Sequence, residues 1–91
     1  MPKEFHFDMY GPPDILTHDA EDHITRIAEK CNGEWIGSGT AFDGGMMERD
    51  ICFIFYTNKY RKRFQKEMEE VCQTFPKDAI NFELYVTDEE D

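Results

Sequence analysis

The stretch Ala41-Phe42-Asp43-Gly44-Gly45-Met46-Met47-Glu48-Arg49-Asp50-Ile51-Cys52-Phe53-Ile54-Phe55-Tyr56 decides how this chain folds. Asp43-Gly44-Gly45 offers residues that tolerate positive φ, which a tight hairpin turn requires. After the turn, Ile51, Phe53 and Phe55 recur at every second position, so residues 51–56 read as a strand with one apolar face. Before it, residues 34–42 read as the partner strand, weakened by Gly37 and Gly39. Glycines inside a strand mark a bulge or a close backbone approach.

Helical patterns flank this hairpin on both sides. Ala20, Ile24, Ile27, Ala28 and Cys31 fall on one stripe, with Asp14 or Thr17 as the cap and Asn32-Gly33 as the stop. Tyr60, Phe64, Met68, Val71, Cys72 and Phe75 form a second stripe that starts at Thr57-Asn58 and ends at Pro76. Beyond the helices, Phe5, Phe7 and Met9 alternate with His6, Asp8 and Tyr10, and Gly11-Pro12-Pro13 ends that strand. Ile80, Phe82, Leu84 and Val86 alternate with Asn81, Glu83 and Tyr85 to make the last. The order is βαββαβ over a single domain, residues 1–91, with an acidic tail at 88–91. It predicts the ferredoxin-like α+β arrangement: a four-stranded antiparallel sheet, ordered fourth, first, third, second, with two helices on one face.

Twenty Asp and Glu against ten Lys and Arg leave a formal net charge of −10. Such a surface repels nucleic acid at long range and speeds encounter with basic proteins. No segment approaches the roughly 20 apolar residues of a membrane span. The N-terminus lacks the basic start and apolar run of a secretory leader. Three cysteines without a CxxC pair do not form a disulfide framework. The expected compartment is the cytoplasm of a bacterial or phage-infected cell, with no membrane and no direct nucleic-acid contact.

The topology gives the charges addresses. Asp14, Asp19, Glu21, Asp22, Asp43, Glu67, Glu69, Glu70 and Asp78 gather at the hairpin end of the sheet. Arg26, Lys30, Lys59, Arg61, Lys62, Arg63 and Lys66 gather at the other. The acidic pole either keeps the surface solvated or steers a basic partner. The basic cluster either pairs with the 88–91 tail or binds an anion.

Few residues suggest chemistry. His18 and His23 are five apart, the wrong spacing for one helix face. Cys31 and Cys72 lie on apolar stripes, where a thiol packs as a small hydrophobe. Gly37-Ser38-Gly39-Thr40 lacks the lysine of a phosphate loop and is followed by strand. His6, Asp8 and Cys52 are expected to be neighbours on the outer sheet face, but Asp8 and Asp50 raise the thiol pKa and oppose thiolate chemistry. No catalytic residue, metal set or cofactor is expected. The outer face should instead present Tyr10, Ile54, Tyr56 and Tyr85 as a semi-apolar centre for a protein contact, from a partner or a second copy. Asp8 and Glu83 on that face oppose RNA.

The pattern Gly37-Ser38-Gly39-Thr40, Asp43-Gly44-Gly45, Arg49-Asp50-Ile51 resembles a hairpin of small uncharacterised bacterial α+β proteins. In composition the chain is similar to small acidic inhibitors: toxin-immunity proteins and phage anti-defence proteins, anti-CRISPRs among them. That resemblance implies a non-enzymatic inhibitor that occludes a basic surface of a nuclease or nucleic-acid-handling complex. The candidate contact residues are Asp14, Asp19, Glu21, Asp22, Asp43, Met46, Met47, Glu48, Glu69 and Glu70. The alternative is a dimeric small-molecule or nucleotide binder that uses the outer face and the Arg61-Lys62-Arg63 cluster.

Overall fold

Two glycines at the tip of the hairpin set the register of the sheet. Gly44 and Gly45 both have positive φ, 59° and 86°, so a two-residue loop closes on the pair Asp43 and Met46. The computed structural model describes residues 3–76 and 78–87, with Asp43 described through its backbone only. The expected 88–91 tail lies outside the described residues.

The elements are β1 (Glu4–Gly11), α1 (His18–Lys30), β2 (Glu34–Asp43), β3 (Met46–Phe55), α2 (Asn58–Cys72) and β4 (Asn81–Thr87). The strands form one antiparallel sheet in the order β2-β3-β1-β4, the ferredoxin-like arrangement that the sequence predicts. Strand β3 starts five residues before the apolar alternation does, because the turn pairs residues 46–50 with β2 whatever their polarity. The expected irregularity in β2 is a bulge between Trp35 and Gly37. Its extra residue, Ile36, is exposed.

Thr17, rather than Asp14, caps α1: its Oγ1 accepts the Ala20 N–H at 3.1 Å. Thr57 caps α2 in the same way through Tyr60 N–H at 3.2 Å. Asn32 takes a φ of 60° just after α1, and the chain then enters β2 through Gly33. Any Cβ at Gly33 would collide with the Phe55 ring, so only glycine lets the backbone pass there.

Both helices pack on one face of the sheet. Phe7 and Met9 from β1 and Ile51, Phe53 and Phe55 from β3 meet Ile24 and Ala28 from α1 and Phe64 and Met68 from α2. The Phe64 ring is at the centre, its centroid 5.0 Å from Phe7, 5.2 Å from Phe53 and 5.1 Å from Phe55. Tilted and edge-on ring pairs at this separation add to the area term of burial. Leu84 and Val86 point to the same side but remain 40% and 53% exposed, because β4 is an edge strand beyond the reach of the helices.

Phe64→Ala is expected to lower unfolding free energy by about 3–5 kcal/mol, the range for emptying a fully packed aromatic site. Phe42→Ala, at an exposed ring, should change it by less than about 0.5 kcal/mol. Urea denaturation of the two variants checks the contrast.

Candidate functional site

The sheet face away from the helices takes its composition from the strand registers. Opposed residues share a face, so Asp8 on β1 sits between Cys52 on β3 and Glu83 on β4. His6 sits between Ile54 and Tyr85, and Tyr10 between Asp50 and Asn81. Along β2 the same face carries Glu34, Gly37, Gly39 and Ala41. At the described strand positions this face holds Glu4, Asp8, Glu34, Glu48, Asp50 and Glu83 and no Lys or Arg.

The centre of that face differs from the semi-apolar cluster expected. Ile54 is on the face but only 6% exposed. It sits on a central strand with His6 and Glu34 beside it in register, so neighbouring side chains cover it. Ile54 is therefore a structural residue and is withdrawn as a contact candidate. Tyr56 and Tyr85 are exposed and Tyr10 is half-buried, and all three surround a polar middle. Tyr10 donates to Glu83 Oε2 at 3.2 Å and Tyr56 to Glu34 Oε2 at 2.9 Å. Tyr85 stacks on His6, centroid to centroid 4.4 Å.

Every titrating hydroxyl or thiol on this face holds its proton tightly. Burial, with Asp8 and Asp50 close by, pushes the Cys52 thiol up to about 12. Its Sγ donates to Asp50 Oδ2 at 3.8 Å. Burial and the Glu83 hydrogen bond raise Tyr10 above its ordinary value, and burial with the Asp8 charge raises Tyr85. The thiol is thus held neutral rather than activated as a nucleophile. Among the described residues no three His, Cys, Asp or Glu side chains converge as a metal set, and no helix is long and apolar enough to cross a membrane.

The hairpin end carries a residue that the sequence reading passed over. Arg49 is 7% exposed and faces the helices. Its guanidinium donates to Leu16 O at 2.7 Å, contacts His18 Nδ1 at 3.3 Å and pairs with the Glu21 carboxylate. The signal was available: Arg49 shares strand parity with Ile51, Phe53 and Phe55, so a cation on the core face needed a partner. Glu21 is that partner, and it is corrected from a contact candidate to a structural carboxylate. Its half-buried place beside Arg49 removes it from the free acidic surface.

The other hairpin-end candidates are on the surface. Asp14, Asp19, Asp22, Glu48, Glu69 and Glu70 are exposed, while the side chain of Asp43 lies outside the described residues. Met46 and Met47 are exposed at 75% and 54%, and Phe42, opposite Met47 in register, at 73%. Phe42 was not among the candidates, although its position next to the turn marks it as part of the same tip. Between α1 and the start of β2, Asp22, Glu29, Glu34 and Trp35 line a groove of about 640 Å³ that runs away from the turn. Also at the end of the sheet away from the turn, Arg61 is held by Asn58 Oδ1 and Gln65 Oε1.

No protein-family model matches this chain, and no curated protein matches it. Its fold is similar to that of solved structures. The de novo designed protein Foldit4 superimposes with a TM-score of 0.65 at 10% identity, over 99% of this chain and 100% of the design. A "putative glycine cleavage system transcriptional repressor" gives 0.60 at 11% identity over 100% of this chain and 49% of the other. An unknown protein from Galdieria sulphuraria gives 0.61 at 13% over 93% and 49%. The chain therefore spans about half the length of those two natural proteins. At these identities the likeness is one of fold.

Three measurements test the site as built. At pH 7.5 Cys52 should alkylate on the order of a thousandfold more slowly than a free thiol of pKa ≈ 8.5, and Asp50→Asn should speed it. The raised thiol pKa also sets a sign for stability. Its contribution is present below pH 9, where the unfolded thiol is protonated, and is lost as pH rises toward 12. Arg49→Ala should cost about 3 kcal/mol by stranding Glu21, read from urea denaturation.

Proposed function

We propose that this chain is a non-enzymatic binding protein that occludes a basic surface on a nucleic-acid-handling protein, as an acidic inhibitor does. The observation that carries the reading is the hairpin tip: Phe42 and Met47 face each other in solvent on the helix side of the hairpin, Met46 is exposed on its other side, and Glu48 and the carboxylates of the first-helix end are exposed at the same end of the sheet. An apolar centre with a charged rim is the anatomy of a protein interface. The surplus of 20 acidic over 10 basic residues suits a basic partner and speeds its capture.

The raised thiol pKa of Cys52 speaks against nucleophilic chemistry, and this supports binding over catalysis. The small-molecule or nucleotide alternative has less support. Six carboxylates on the outer face oppose phosphate, and the guanidinium of Arg61 already donates to Asn58 and Gln65.

Affinity capture from the source cell and mass spectrometry would identify the partner, and surface plasmon resonance would follow the variants. The charge-reversal set is Asp14→Lys, Asp19→Lys and Asp22→Lys; Glu21 is left intact because it holds Arg49. This set should slow association about tenfold or more at low salt with little change in dissociation. Phe42→Ala with Met47→Ala should instead speed dissociation. The captured partner should lose nucleic-acid binding as the chain is added. Unchanged association rate and salt dependence in the triple variant would refute the proposal.

A further inference from the structure

The centre of the outer face holds a carboxylate with one oxygen unbonded and no Lys or Arg beside it at the described strand positions. Asp8 is 6% exposed, and its Oδ1 is buried with no hydrogen-bond partner among the described residues. A buried carboxylate oxygen left unmatched is costly, and native structures keep such atoms rarely. The side chains around Asp8 deepen the imbalance. Glu83 lies beside it on β4, and Asp50 lies diagonally across on β3. Neighbouring strands are about 4.8 Å apart, so these negative groups act on one another directly.

Nor do the other neighbours supply a lysine or an arginine. The Tyr10 hydroxyl is directed to Glu83, and the Cys52 thiol to Asp50 and Asp8, which the Tyr85 hydroxyl also approaches, so that Asp8 Oδ1 is the oxygen left without a partner. His6 presents a ring stacked on Tyr85, and its Nε2 lies 3.5 Å from Glu4 Oε1, although neither ring nitrogen makes a hydrogen bond among the described residues. No Lys or Arg stands at a described outward strand position. Two aromatic rings, Tyr10 and Tyr85, flank the carboxylate on either side along and across the strands.

We propose that Asp8 is the anchor of a guanidinium-binding seat on the outer sheet face, occupied by an arginine side chain of the partner protein. A guanidinium matches this set of groups better than an ammonium. It pairs with carboxylates through parallel N–H donors and its flat face stacks on aromatic rings. Asp8 accepts at the centre, Asp50 and Glu83 balance the charge, and Tyr85 is the ring to stack on. Tyr85 is exposed on the edge strand β4, so it is the side chain that moves to open Asp8. The source is a protein rather than a free cation because the seat lies on an open sheet face, where a small ligand would bury little of its own surface. A side chain carried by a larger interface does not depend on such enclosure. This inference rests on the basic-partner reading above and names the group that the partner inserts.

The test uses the full chain and ¹H–¹⁵N NMR. The probe is the capped tripeptide acetyl-Gly-Arg-Gly-amide, with its norleucine counterpart as the uncharged control and methylguanidinium as the free cation. The arginine peptide should shift the resonances of His6, Asp8, Cys52 and Tyr85 saturably, and the norleucine peptide should not. Asp8→Asn should weaken the arginine peptide about tenfold or more, the size expected for losing a charge-assisted pair. Glu83→Gln on the edge strand, a change with no buried group to strand, provides a second reading if Asp8→Asn does not fold. It should weaken binding in the same direction. Shifts spread over Glu29, Glu69 and the other surface carboxylates, or equal affinity in wild type and both variants, would overturn the seat. Methylguanidinium binding as tightly as the peptide would overturn the protein source. With the partner in hand, unchanged affinity in Asp8→Asn beside a weakened Phe42→Ala/Met47→Ala variant removes the seat and leaves the broader reading. The converse pattern removes the hairpin reading and leaves the seat.

Discussion

The packing of the Phe64 ring against Phe7, Phe53 and Phe55 is the contact on which the remaining structure depends. It joins α2 to both central strands at once, so the helix, β1 and β3 cannot be placed independently. A domain of 91 residues has little apolar area to spare. Concentrating four large rings in one cluster uses it where each ring covers the most surface. Once these rings face the helices, strand pleating sends His6, Asp8, Tyr10, Cys52 and Ile54 to the other side.

That forced alternation gives the molecule two unlike faces. The helix side is closed over its centre by apolar packing, and it admits Arg49 only with Glu21 and the Leu16 carbonyl to receive it. The outer side has no covering layer. Its hydroxyl and thiol protons are directed toward carboxylates, and the burden of negative charge is not relieved by any strand lysine or arginine at the described positions. The same contrast appears at the hairpin. Its base is tied to α1 through Arg49, whereas its tip extends past the helices with Phe42, Met46 and Met47 in solvent. A firmly based tip can present apolar side chains without ordering them anew on binding, which favours recognition.

The corrections to the contact candidates follow from partners distant in sequence. Glu21 belongs to a helix whose pattern marks its acidic residues as solvent-facing, yet Arg49, 28 residues away, draws it inward. Ile54 has the outward parity of an exposed residue, yet its central-strand position buries it. Phe42 resembles a strand residue that should pack, yet the hairpin outruns its cover. Asp8 looked like one more surface acid, and only the three-strand register made it the buried middle of a row.

While the choice of Thr17 over Asp14 as the first cap came from the structure, the sequence by itself determined the element order, the start of the second helix at Thr57-Asn58, the Gly44-Gly45 turn and the apolar faces of β1, β3 and both helices. These are local features, set by backbone preference and by periods of two or 3.6 residues, so neighbours along the chain suffice to read them. Strand order followed as well, because few right-handed, antiparallel closures exist for βαββαβ. The tertiary structure alone decided which charges are used up and which remain. Whether a carboxylate is paired, buried or free depends on groups brought close by folding, and Coulomb energy depends on that distance and on the local dielectric, not on separation along the chain. For that reason the same composition of acids resolved into a structural Glu21, a rim of exposed carboxylates and a buried Asp8 with one oxygen unbonded.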